Sequence, residues 1–141
     1  MMNENENKLK ALLRDISPER IPGEFVFLSF EGGLYGKHAE LEPIASFQEP
    51  EGLTLVVPKL HADSHGMAYE GIFAAITLTV QSSLEAVGFT AVFAGALAAQ
   101  RIPANVFAGF NHDHVFVPFE RADEAMLVLR GLGVRTRIVG L

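Results

Sequence analysis

Thr77-Leu78-Thr79-Val80-Gln81-Ser82-Ser83-Leu84-Glu85-Ala86-Val87-Gly88-Phe89-Thr90-Ala91 holds the turning point of the chain. An apolar run of strand composition, Ile72 to Val80, ends inside it, a polar loop with one glycine follows, and helical spacing begins. The first amides of a helix have no partners within it and carry partial positive charge, so such a loop can hold a carboxylate or another small anion. The stretch contains serines but no Gly-x-Ser-x-Gly elbow, and it reads as a recognition turn without a catalytic nucleophile.

Downstream of the loop, Thr90 to Gln100 sets Phe89, Val92, Phe93, Ala96, Leu97 and Gln100 on one side of a helix. Ala104 to Phe110 and His114 to Phe119 read as paired strands across Asn111-His112-Asp113. Arg121 to Arg130 reads as a second helix with Ala122, Ala125, Met126 and Leu129 inward and Gly131 as its stop. Val134 to Val139 alternates Val134, Thr136 and Ile138 against Arg135 and Arg137, the pattern of a half-exposed strand. The second half thus predicts β-α-β-β-α-β, the ferredoxin-like arrangement.

Upstream, residues 1–7 are polar and read as a frayed end. Lys8 to Ile16 has Leu9, Leu12, Leu13 and Ile16 at helical spacing, and Ser17-Pro18 ends that helix. Glu24 to Phe30 has strand composition, and Ile44–Gln48 with Leu53–Val57 reads as a hairpin around Glu49-Pro50-Glu51-Gly52. Pro58 to Met67 is a connector with a helical turn or two. The expectation is an α+β protein of two ferredoxin-like subdomains with antiparallel sheets and helices on one face. The first, 1–67, carries the N-terminal helix and is incomplete; the second is 68–141.

Composition narrows the function classes. A chain of 141 residues, 49% apolar and 20% charged, suits a globular fold of one domain or two small ones. A net charge of −6 with 11 scattered basic residues argues against nucleic acid, which needs clustered Lys and Arg. The absence of cysteine excludes disulfides and thiolate metal sites. The acidic N-terminus is unlike a secretory signal, and Ile72–Val80 is too short for a bilayer, so a cytoplasmic protein without membrane partners is expected.

Ile76 to Thr90, Ile102-Pro103-Ala104-Asn105-Val106-Phe107-Ala108-Gly109-Phe110 and His112-Asp113-His114-Val115-Phe116-Val117-Pro118 resemble the ACT-domain family. They are most similar to small stand-alone bacterial tandem-ACT proteins without an assigned function. ACT domains are ferredoxin-like modules that bind amino acids or other small effectors and regulate an attached enzyme or transcription factor. The resemblance implies a ligand site at the loop between first strand and first helix: Ser82, Ser83, Leu84, Val87, Gly88 and Phe89, with Asn105 and Val106 on the neighbouring strand. The aspartate often found in amino-acid-binding ACT loops has no clear counterpart in this loop, where Ser82 and Ser83 come closest.

Each feature has a plainer counterpart. The serines can satisfy loop amides, and Gly88 can supply a positive φ. His112-Asp113-His114, with His61 and His65 of the connector, could suggest metal ligands, but no HExxH pattern is present and a hairpin turn with surface imidazoles is the simpler reading. The glycines at 32, 33 and 36 lack the Gly-Lys-Ser/Thr ending of a phosphate loop. The phenylalanines at 89, 93, 107, 110, 116 and 119 fall at core spacings. The expected protein is a non-enzymatic regulator, without cofactor or metal, that binds a small effector such as an amino acid. Ferredoxin-like sheets leave an exposed edge, so a homodimer is expected. A ligand-free protein–protein interaction module and a metal-dependent hydrolase are the alternatives.

Overall fold

The computed structural model describes residues 2–139, with side chains as far as residue 137. Met1, Gly140 and Leu141 lie outside the described residues, as do the side chains of Ile138 and Val139. The elements in chain order are α1 (Glu4–Arg14), β1 (Pro18–Glu31), β2 (Ala45–Glu49), β3 (Gly52–Pro58), α2 (Lys59–Ser64), β4 (Phe73–Leu78), α3 (Phe89–Ala99), β5 (Asn105–Ala108), β6 (Asp113–Pro118) and α4 (Ala122–Val139). Among the described residues no helix is long and apolar enough to cross a membrane.

The residues group by contact into two units. One is a contiguous segment, Pro22–Ala74. Its antiparallel strands are ordered β2-β3-β1, with Val26 opposite Val57, Leu28 opposite Leu55, and Phe47 of β2 opposite Thr54. Val26, Leu28, Leu41, Leu53, Leu55, Val57 and Ala62 make its core, with Phe30, Met67 and Tyr69 packed against it.

The other unit joins the residues up to Ile21 to those from Ala75 onward. Here the start of β1 lies beside β4, tied by the Thr79 amide donating to the Ser17 carbonyl at 2.9 Å. Beyond β4 come β6 and then β5, whose register sets Asn105 opposite Phe116 and Ala108 opposite Asp113. Helices α1, α3 and α4 pack on one another in this unit. Phe89, Phe93 and Leu97 of α3 and Ala125, Met126 and Leu129 of α4 are buried, as the helical spacing predicts, whereas Gln100 is exposed.

Two expectations are corrected. Residues 4–7 are helical rather than frayed, because Asn3 and Glu6 form a reciprocal capping box: the Glu6 amide donates to Asn3 Oδ1 at 2.8 Å and the Asn3 amide to Glu6 Oε2 at 3.2 Å. More consequentially, Val134 to Val139 is not a strand and Gly131 is not a stop: α4 runs on through both. Buried positions there fall at Leu129, Leu132, Gly133 and Thr136, the three- and four-residue spacing of a helix, and Val134 is 44% exposed. Thr136 Oγ1 donates to the Leu132 carbonyl one turn back, and the Arg137 guanidinium donates to the Arg14 carbonyl at the end of α1. The sheet position expected for that last strand, next to β4, is filled by the first residues of β1.

Candidate functional site

The loop between β4 and α3 is built by short-range bonds. Thr79 doubles its tie to the Ser17 carbonyl through its own hydroxyl, at 2.7 Å. Ser83 folds the loop back: its Oγ accepts from the Glu85 amide at 3.0 Å and its carbonyl from the Ala86 amide at 3.0 Å. This is the local role that serine fills in turns. Gly88 then enters α3 at φ 93°, a left-handed conformation that a side chain rarely adopts, and α3 has no side-chain cap. The amides of Phe89, Thr90 and Ala91 are therefore available to a partner from outside the helix.

The site residues expected from the sequence are distributed unevenly. Ser82 is buried, Phe89 is buried and meets Phe93 edge to face at 5.2 Å, and Leu84 and Val87 are each 66% exposed. Ser82 and Ser83 line two cavities, one on each side of the loop. The larger, about 480 Å³, opens between the loop and α1, with Lys8, Leu9, Leu12 and Asp15 on the helix side and Val87 on the loop side. The smaller, about 70 Å³, lies towards the β5–β6 hairpin and is lined by Leu84, Phe89, Thr90, Ala108, Gly109 and Asp113 besides the serines. Asn105 and Val106 are on β5 and line neither cavity.

Two contributors to these cavities were not among the expected site residues. Helix α1 lies far away in sequence, and only the folded chain brings it to the loop. By sequence Asp113 belongs to a hairpin turn with surface imidazoles. Instead the turn is closed by the Gly109 amide donating to the His112 carbonyl, and Asp113 is the first residue of β6, 7% exposed. Among the described residues no donor hydrogen-bonds its carboxylate, and burial pushes its pKa up. His114 is half-buried, with Nδ1 at 2.9 Å from Thr77 Oγ1; burial first, then the neighbouring His112, lowers its pKa. Nδ1 of His112 is buried and has no hydrogen-bond partner among the described residues. A carboxylate at the head of the apolar run Val115-Phe116-Val117 was the sequence signal available for Asp113.

The remaining histidines make local bonds within the contiguous unit. His61 Nε2 pairs with Glu42 at 2.8 Å, and His65 Nδ1 is 2.9 Å from the His61 carbonyl. Among the described residues no group of three or more His, Asp or Glu side chains converges as metal ligands would.

Models of the ACT domain match residues 4–74 and residues 70–131. Among solved structures, a protein of unknown function from Vibrio cholerae, described as a possible transport protein, matches with 48% identity and a TM-score of 0.79. The match covers 89% of this chain and 95% of that one. The regulatory subunit of aspartate kinase from Thermus flavus matches with 12% identity and a TM-score of 0.57, over 83% of this chain and 95% of its own. Aspartate kinase from Clostridium acetobutylicum matches with 12% identity and a TM-score of 0.60, over 83% of this chain and 34% of that one. These last two share the fold. No curated protein matches the sequence.

Proposed function

Since this chain belongs to the ACT-domain family, we propose that it is a regulatory protein, without catalytic activity, that binds a small effector of the amino-acid class at the loop between β4 and α3. The observation that carries this reading is the pair of cavities that share Ser82 and Ser83 beside an uncapped helix start. The larger is of the size in which proteins hold metabolite-sized ligands. Binding there would act by favouring one conformational or association state over another, which requires unequal affinity for the two. Its domains in sequence are taken as 1–67 and 68–141, and its compartment as the cytoplasm. Among the described residues strand β5 is an edge strand with β6 as its single neighbour, and β2 likewise has only β3. Unpaired edges of this kind support a homodimer.

A thermal-shift panel of the twenty amino acids, with metals and nucleotides as controls and light scattering for mass, tests both parts. One effector at a hundred times its Kd adds about 2.7 kcal/mol, a shift of several degrees, and the mass corresponds to two chains. A monomer mass removes the dimer from the reading. Silence across the amino acids favours the interaction module, for which Leu84 and Val87, exposed on the same loop, offer apolar contacts.

A further inference from the structure

We infer that the groove between α3 and α4 is a docking site for an amphipathic helix of a partner protein, apolar on the face it buries and acidic along its flanks. The inference goes beyond effector binding and does not depend on it. The groove, about 610 Å³, is lined by the small residues Ala96 and Ala99 of α3 and Gly131 of α4. A Cβ at Gly131 would meet open space, so another backbone can come close there. Leu127 and Val134 of α4 stand on the groove and are 68% and 44% exposed, whereas Ala125, Met126, Leu129 and Leu132 of the same helix are buried. Leu127, Gly131 and Val134 keep the i, i+4, i+7 spacing of a packed helix face, yet the two aliphatic side chains are left uncovered.

Charge identifies the occupant. The lining carries Arg130 and Arg135 and no carboxylate, in a chain whose net charge is −6. Arg14, Arg20 and Arg121 each pair with a carboxylate, whereas Arg130 and Arg135 have neither an ion-pair nor a hydrogen-bond partner among the described residues. Two sources of negative potential beside the groove are already taken. The Gln100 and Arg101 carbonyls that close α3 accept from the Arg121 guanidinium at 3.0 and 3.3 Å, and Glu124 pairs with Arg121 at 2.7 Å. A second copy docking by the same face would set arginine against arginine, and the acidic first turn of α1 belongs to a helix already packed on α3 and α4. An extended strand finds no free backbone edge between two helices. A third helix laid between them covers Leu127 and Val134, approaches closely over the alanines and Gly131, and brings its flanking Glu or Asp to the two arginines.

The test uses the intact protein and a display library of helix-patterned peptides of about 16 residues, with the charge of the flanking positions varied freely. Selection on wild type is expected to enrich sequences with apolar residues at i, i+3 or i+4 and i+7 and with Glu or Asp beside them. The most enriched peptide is titrated by fluorescence anisotropy against wild type, Leu127→Asp and the double variant Arg130→Glu/Arg135→Glu. All three positions are exposed, so both variants are expected to keep the wild-type circular dichroism and melting temperature. Each is expected to bind the peptide at least about tenfold more weakly, and wild-type affinity is expected to fall as salt rises. Enrichment of no acidic amphipathic sequence overturns the inference, as does a loss of less than about tenfold in either variant, or equal binding of a peptide with Lys in place of each acid. Co-sedimentation with phosphatidylglycerol vesicles that the double variant loses and the peptide does not compete overturns it in favour of an anionic membrane surface. The groove shares no residue with the two loop cavities, so none of these results bears on the amino-acid panel.

Discussion

At Gly88 the backbone turns through φ 93° to start α3, and a Cβ placed there would approach Leu9 Cδ2 to 3.2 Å. The left-handed conformation alone disfavours an L side chain by about 1–2 kcal/mol, and the tight contact with α1 adds to it. Gly88→Ala is therefore expected to lower the urea midpoint by an amount equivalent to about 1–2 kcal/mol without changing the slope. An unchanged midpoint would mean that the loop relaxes freely and that its geometry does not position the α3 amides. Gly88 was readable from sequence because a single glycine before a helical pattern has few other uses. Asp113 was not, because an aspartate between two histidines looks like turn chemistry. Only the register with Ala108 shows that it is the first residue of the strand, where it is 7% exposed.

Most elements follow from periodicity and punctuation alone. The hairpin of β2 and β3 and the helices α1 and α3 form within a few residues of where apolar spacing and Gly or Pro place them. Where that logic fails is the last third of α4. Alternation over six residues imitates a strand, and Gly131 imitates a stop, but neither signal competes with packing of the helix along α1. The two glycines of this segment separate those influences. A Cβ at Gly131 would meet open space, so Gly131→Ala should raise stability by about 0.5–1 kcal/mol through helix propensity alone. At Gly133 the Cβ would lie 3.2 Å from Ile16 Cγ2 and 3.4 Å from the Arg14 carbonyl oxygen, so the same change there should gain nothing or lose stability. Thermal melts of the two variants, compared with wild type, decide it: a lower melting temperature for Gly131→Ala would return that residue to the role of a helix stop.

Across the whole molecule, sequence units and spatial units do not coincide. The family matches divide the chain at about residues 70–74, whereas contacts assign the residues up to Ile21 to the unit that also holds everything from Ala75 onward. The exchange is invisible in a linear reading, since nothing about Leu9 or Ser17 signals that their partners lie beyond residue 75. A chain beginning at residue 70 lacks the partner of Thr79, the wall of the larger cavity contributed by α1, and the carbonyl that receives Arg137. It is expected to show a broad, low melting transition that a synthetic peptide of residues 2–21 sharpens and raises when added in trans; a sharp transition without the peptide would refute this dependence. During synthesis α1 leaves the ribosome before α3 and α4, so that helix has nothing to fold onto until residues 22–74 have passed. On the ribosome α1 therefore waits for its partners, and the larger cavity that it walls cannot form until the loop between β4 and α3 has been made.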